Sequence, residues 1–386
     1  LNLALAILDC DPSHSGAERY CRDLAAALAR RGHQVTVLCR MAAAEIRGAV
    51  TVGFGTFAGS HRGRLTPFIE ALGQHLRASR YDLIHAMTPV PSCDIYHLHA
   101  GAGAETSGEE APAAPPDARV PGSARAGAAR RSFRDVHREL LLRRGAPLLL
   151  CPSARVAEQV RRTFALPPDR LEVLHNGTDL ETFDPARDPG AGAEIRRRFG
   201  IGPHACVGLL IGQDFERKGL REAIDAIAAV QDAPLVLLVV GREDPAPYAA
   251  QAVAAGAGER IVFAGATADP GAFYQAADFF VLPTRDDPCS LVVLEALAMG
   301  LPVVSTAENG ACELMADGTH GFVLPHPGDV SALAAAMRAM LDPDRRRAMA
   351  EACLALRPRL SFARHLDRLL EIYARVRPPD PARESS

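Results

Sequence analysis

Short apolar runs alternate with amphipathic stretches along most of the chain, and this alternation predicts the elements. Strands are expected over 3–8, 34–38, 50–54, 82–86, 94–98 and 148–151, four to six residues each and mostly apolar. Between them, 17–31 carries apolar residues at 21, 24, 25 and 28 and stops at Gly32, which is helical spacing with a C-terminal glycine. Helices are also predicted over 65–78 and from a Ser153 cap to 164. The rhythm repeats later, with strands over 206–211, 235–240, 261–263, 279–282, 303–306 and 322–324. Its helices fall over 219–230, with 220, 223, 224 and 227 on one face, and over 273–277, 291–299, 329–341 and 344–356. Pro358 breaks the run before a last helix over 362–376.

Strand–helix–strand repetition with largely apolar strands is the pattern of open parallel α/β sheets covered on both faces. Two such series predict two Rossmann-like domains. The first is expected over 1–172, completed by 360–378, and the second over 173–359. His175-Asn176-Gly177 is a turn signal, and the polar stretch to about 192 is expected to be the linker. Residues 102–128, rich in Ala, Gly, Pro and Glu, interrupt the rhythm and predict an irregular loop. The tail 379–386 is expected to be disordered.

One helix stands apart. Positions 291–299 are apolar on every face except for Glu295, so the helix is expected to be buried with a carboxylate inside it. An unpaired buried carboxylate costs several kcal/mol, so either a protein cation or a pair of ligand hydroxyls must meet it. The helix 130–144 is different again. Phe133, Val136, Leu140 and Leu141 share a face, and Arg130, Arg131, Arg134 and Arg138 crowd the rest. That is a basic amphipathic helix, suited to an anionic surface.

Composition narrows the field. The chain has 386 residues, 48% hydrophobic and 23% charged, with a net charge of -3, which describes a globular protein without a global signal for nucleic acid. No 18-residue apolar run predicts a membrane span. The nine cysteines are scattered, odd in number and without a C-x-x-C pair, which argues against a disulfide framework and against zinc and suits a reducing cytoplasm.

Candidate chemistry gathers at strand ends. Gly212 to Gly219 lies between a strand and a helix and contains Arg217-Lys218. Two cations ahead of a helix N-terminus suit a diphosphate, because the free amides and the helix dipole also favour an anion. Ser13 to Glu18 has the same setting in the first domain, and Gly16 would let amides approach a phosphate. There is no G-x-G-x-x-G fingerprint and no Walker loop, which disfavours a nicotinamide dehydrogenase and a P-loop enzyme. His97 and His99 flank Leu98 at a strand end, and spacing alone favours ordinary surface histidines. The adjacent acids Asp286 and Asp287 are expected to face solvent rather than a metal.

With these stretches in view, the chain resembles glycosyltransferase family 4, the retaining GT-B enzymes, and within it the WaaG-like glucosyltransferases of the lipopolysaccharide core. The resemblance rests on Ser15-Gly16-Ala17-Glu18-Arg19, on Arg217-Lys218-Gly219, on His175-Asn176-Gly177, and on Asp287 to Glu295 followed by Ala-Leu-Ala-Met-Gly-Leu-Pro-Val. The last is the family's acid, seven residues, acid signature, with Asp287 where Glu is usual. It implies two Rossmann-like domains facing across a cleft, with a C-terminal helix crossing back to the first. It further implies transfer of a hexose from a nucleotide sugar, UDP-glucose or a similar sugar, to a lipid-linked or cell-envelope glycan without a metal. Arg217 and Lys218 would stabilise the diphosphate, Gly16 amides would assist, and Glu295 would accept from the ribose hydroxyls. Asp287 and the amides of Cys289, Ser290 and Leu291 would hold the donor sugar, and Arg242 and Thr267 would lie near the base. His99, with His97 in reserve, would support an oxocarbenium-like transition state. Retention without an enzymic nucleophile implies same-face attack, the departing phosphate taking the acceptor proton. The basic helix would then hold the protein peripherally on an anionic membrane. A nucleotide-sugar epimerase and a nonenzymatic sugar-nucleotide or glycan binder are the alternatives. An epimerase would turn over donor alone, and a binder would leave it intact.

Overall fold

The computed structural model describes residues 1–11, 15–42, 45–55, 65–101, 137–142, 145–164, 166–231 and 233–376. The predicted loop 102–128, the tail 379–386 and Arg130, Arg131 and Arg134 lie outside the described residues. The chain divides into two compact units, Leu1–Leu174 with the segment from Leu366 onward, and His175–His365.

In the first unit the strands are β1 (Asn2–Ala6), β2 (Asp9–Cys10), β3 (Gln34–Cys39), β4 (Met41–Ala42), β5 (Val50–Gly53), β6 (Leu83–Ala86), β7 (Ile95–His97), β8 (Leu148–Cys151) and β9 (Leu171–Val173). Seven of the described strands form one sheet in the order β5-β3-β1-β6-β7-β8-β9, all parallel. β2 and β4, too short to be seen in the sequence pattern, pair beside it. Apolar strands buried on both faces need helices on both sides, and Gly16–Arg30, Leu65–Ala78 and Ala154–Phe164 serve. Ser153 caps the last of these through its hydroxyl and the Val156 amide at 3.3 Å. The end of the Phe362–Val376 helix belongs to this unit as well, and its buried Tyr373 hydroxyl lies 2.6 Å from His85 Nδ1.

The second unit carries β10 (Cys206–Ile211), β11 (Leu235–Val240), β12 (Ile261–Gly265), β13 (Phe279–Leu282), β14 (Val303–Thr306) and β15 (Gly321–Leu324). Its sheet runs β12-β11-β10-β13-β14-β15, again parallel. The strand order reverses between β10 and β13. Chain leaving these two strands goes to opposite sides and opens a crevice at their carboxyl ends, where ligands of such sheets bind. The loops leaving them are Gly212–Gly219 and Pro283–Ser290, the two stretches richest in candidate chemistry.

The expected linker is not one. Phe183 is buried in the core of the second unit, and the Arg357 guanidinium donates to the carbonyls of Leu180 and Phe183 at 3.0 and 2.9 Å. A helix, Ala191–Arg198, begins where the linker was expected to end. Its high charge hid it, since only Gly192 and Ile195 are buried.

Two buried histidines bear on acid stability. Burial holds His137 of the first unit and His365 of the second down at about 4, against an ordinary value of 6.5. For His365, donation from Nδ1–H to the His175 carbonyl at 2.8 Å opposes this only in part. The unfolded chain therefore binds protons between pH 6.5 and 4 that the folded chain refuses. Each histidine contributes stability that is complete above 6.5 and lost as pH falls toward 4, with a slope of about 1.4 kcal/mol per pH unit inside that window. Denaturant titrations at pH 7.5, 6, 5 and 4.5 should show this decline, and His137→Phe should flatten it. An equal slope in the variant would remove His137 from the account.

Candidate functional site

The site is built on the second unit's two loops and the helix that follows the second. Gly219 opens the Leu220–Ala229 helix with φ +78°, and a Cβ there would lie 2.2 Å from the Pro283 carbonyl oxygen. Only glycine permits this approach, and it brings the two loops together. Thr284 Oγ donates to the Arg217 carbonyl at 3.0 Å, and the Arg285 amide donates to the same oxygen at 2.9 Å. Gly241, where a Cβ would meet the Gly212 carbonyl at 2.2 Å, lets the loop after β11 close in from the other side.

This stitching places Lys218 against Asp287. Both are buried, and the Lys218 ammonium donates directly to Asp287 Oδ2. The Arg217 guanidinium lies 3.9 Å from the same oxygen, donates to the Asp286 carbonyl at 2.7 Å, and is about two-fifths exposed. Asp287 therefore does not face solvent as its polarity predicted, while Asp286 beside it is half-buried. Asp287 turns inward because a cation waits there. The two cations also differ: Lys218 is buried and held by a carboxylate, and Arg217 reaches outward, bracketed by Asp214 at 3.2 Å.

Asp287, Cys289 and Ser290 are clamped by two asparagines. Asn176 Nδ2 donates to the Cys289 carbonyl at 3.0 Å, and Asn309 Oδ1 accepts from the Ser290 amide at 3.3 Å and the Ala311 amide at 3.1 Å. Asp287 itself is bridged backbone to backbone with residues 308 and 310, at 3.0 and 2.9 Å. The Ser290 amide, expected to face a sugar, is thus engaged by Asn309. Cys289 is buried, and burial pushes its thiol well above the ordinary value, so it is inert packing. Leu291 is half-buried at the helix start.

Glu295 is fully buried in the Leu291–Ala298 helix. The Tyr274 hydroxyl donates to its Oε2 at 2.8 Å. Neither Tyr274 nor the two asparagines emerged from the sequence as site residues. The signals were present only as a turn (Asn-Gly at 176 and at 309) and as one tyrosine in a short helix.

The remaining candidates fall as follows. Arg242 is exposed at the end of β11, and Thr267, half-buried, closes a turn with Asp269 at 3.0 Å. In the first unit Gly16 starts its helix behind a Ser15 cap, whose hydroxyl accepts from the Glu18 amide at 3.2 Å. Glu18 in turn accepts from the Asp11 amide at 2.6 Å, so the loop is tied back from both ends. His97 is fully buried and His99 half-buried, which corrects the expectation of surface histidines. Their ring centroids are 3.9 Å apart, and Tyr20 packs on both. His97 also stacks on His85 at 5.5 Å. Arg138 is exposed on a helical stretch, 137–142. No cluster of metal-ligating side chains is present among the described residues, and no helix among them is long and apolar enough to cross a membrane.

Comparison with known proteins bears on the family and the fold. A family profile described as glycosyl transferases group 1 matches residues 205–343, and one described as Glycosyltransferase Family 4 matches residues 14–182. The lipopolysaccharide glucosyltransferase WaaG of Escherichia coli is 27% identical over 183 residues, covering 47% of this chain and 49% of that protein. A D-inositol 3-phosphate glycosyltransferase of Thermomonospora curvata is 29% identical over 247 residues, covering 59% of this chain and 57% of that protein. The matches thus span about half the length of these relatives. A crystal structure of WaaG superposes with a TM-score of 0.84 at 22% identity, covering 96% of this chain and 99% of that one, which establishes the shared fold. A switch-point site with Lys218, Asp287 and Glu295, matches to glycosyltransferase profiles in both halves of the chain, and superposition along nearly its whole length have one reading: the chain belongs to glycosyltransferase family 4, with the GT-B fold, and is related to the WaaG-like enzymes.

Proposed function

We propose that this protein is a retaining hexosyltransferase that takes its sugar from a nucleoside diphosphate sugar, UDP-glucose or a similar donor. The observation that carries the reading is the joint placement of Lys218, Asp287 and Glu295 on two loops and one helix at the second unit's switch point. Lys218 and Arg217 are positioned as the cations that take up charge developing on the leaving diphosphate. A buried ammonium already neutralised by Asp287 is pre-aimed, and exchanging part of that pairing for phosphate oxygens keeps its charge compensated. Glu295 is assigned to the ribose hydroxyls. Asp287 and the backbone at Cys289 to Leu291 are assigned to the sugar, and Arg242 and Thr267 to the base. In the first unit Gly16 and His99 carry the roles of phosphate amide and transition-state support. With cations in place to meet the diphosphate, these residues require no metal.

The acceptor in this reading is a lipid-linked or cell-envelope glycan, as the relation to a lipopolysaccharide glucosyltransferase suggests. The inositol-phosphate relatives make a phosphosugar acceptor the second reading. The test is turnover of UDP-glucose with truncated core glycolipid or with inositol phosphate, followed by NMR of the product. An α-linked product from the α-donor is expected. An inverted product, or epimerisation of donor without acceptor, would overturn the proposal. The same preparation spun with anionic vesicles tests the membrane part: Arg138→Ser together with serine at positions 130, 131 and 134 should weaken pelleting, and unchanged pelleting would refute it.

A further inference from the structure

Glu295 is the one ionisable residue in an otherwise apolar helix, and a phenol donates to it. Tyr274 is buried, and its hydroxyl lies 2.8 Å from Glu295 Oε2 and 3.2 Å from the Val292 carbonyl. A phenol has one proton, and the shorter contact to a charged acceptor takes it. The ring has little freedom, since Phe183 and Phe280 pack on it at centroid distances of 5.9 Å each.

The short helix bearing Tyr274, Gly271–Ala276, is itself held in place. Gly192 of the Ala191–Arg198 helix packs so closely that a Cβ there would lie 2.4 Å from the Gln275 carbonyl oxygen. Arg196 of that helix donates through Nε to the Ala276 carbonyl at 2.8 Å, and its Nη2 meets Asp278 at 2.8 Å. The charged helix that follows the expected linker therefore fixes the C-terminal end of the tyrosine's helix. Arg196 thus holds the helix that carries Tyr274, and Tyr274 meets the Glu295 carboxylate.

We propose that Tyr274 is the positioning residue for nucleotide recognition. By donating to Oε2 it sets the rotation of the Glu295 carboxylate, and with it the protein's preference for a ribose bearing both hydroxyls. This deepens the reading in which Glu295 accepts from the ribose and rests on it. A neutral donor suits the task. A phenol orients the carboxylate and, being neutral, does not cancel its charge.

The test is calorimetric titration with UDP and 2′-deoxy-UDP, with the corresponding GDP and ADP pairs run alongside so that the result does not depend on the base. The wild type should bind the ribonucleotide about tenfold or more tightly than its deoxy partner, the cost of one lost hydrogen bond to a carboxylate. Tyr274→Phe should bring that ratio to about two to three, because the ring stays and the orientation is lost. Glu295→Gln should lower it as well. Arg196→Lys, which loosens the tyrosine's helix without touching Tyr274, should give an intermediate ratio and serves should Tyr274→Phe fold poorly. A wild-type ratio retained in Tyr274→Phe and Arg196→Lys, while Glu295→Gln loses it, would overturn the role of Tyr274 alone. A wild type that binds both sugars equally would overturn the ribose reading of Glu295 and this proposal with it.

Discussion

Lys218→Ala is expected to lower transfer about 10²- to 10³-fold and to destabilise the protein in the same stroke. The first effect follows from removing a preorganised cation at the leaving diphosphate. The second follows from what remains. Asp287 is 6% exposed, and its principal partner is the Lys218 ammonium. Deleting one member of a buried pair leaves an uncompensated charge, at a cost of about 3–5 kcal/mol. The Arg217 guanidinium, 3.9 Å away and partly exposed, recovers some of that. The two effects can be separated. Lys218→Ala combined with Asp287→Asn should regain most of the stability and none of the activity, because a neutral amide no longer needs the cation but the diphosphate still does. Urea denaturation and turnover of the same three preparations decide it. A double variant as unstable as the single one would show that the loss does not come from an uncompensated Asp287 charge, and a double variant that regains activity would remove Lys218 from the chemistry.

Gly219→Ala should be the most damaging substitution of a single small residue in the site. Its φ of +78° costs a β-carbon-bearing residue about 1–2 kcal/mol. The added methyl would also stand 2.2 Å from the Pro283 carbonyl, which is backbone and must move. Moving it breaks the hydrogen bonds from Thr284 and Arg285 to the Arg217 carbonyl, so Lys218 and Asp287 part company. The total is at least about 3 kcal/mol, in the range reserved for backbone clashes and broken networks. By contrast Gly202, with nothing within 4 Å of its hypothetical Cβ and no left-handed backbone, should accept Ala without measurable loss. Thermal melts of the two variants, read beside each other, check this. Equal melting temperatures would mean that the loop contact carries no weight.

Much of this protein is legible before folding. Short strand-forming runs such as Phe279–Leu282, apolar throughout, and 303–306, β-branched at three of four positions, alternate with helical stretches, and that alternation dictates the α/β class. The position of Arg217-Lys218 between strand and helix, and the buried placement of Glu295, follow from the same local rules. Local rules fail where a residue's surroundings come from distant chain. The helix 191–198 was hidden because its contacts lie on residues 275–278, about 80 positions away. His97 and Asp287 have the composition of surface residues, and only the tertiary structure supplies the partners that bury them, Tyr20 and His85 for one and Lys218 for the other.

The sequence by itself determined the fold class, the strand-end loops and the family, because these depend on periodicity and on residues adjacent in the chain. The tertiary structure alone decided who meets whom. It paired Lys218 with Asp287 across 69 positions, clamped Cys289 through Asn176, and brought Tyr274 to Glu295. The reason is physical. Hydrophobic periodicity is a one-dimensional property set by backbone geometry, whereas the partner of a buried polar group is chosen by sheet order, and the reversal between β10 and β13 appears only when the strands have assembled.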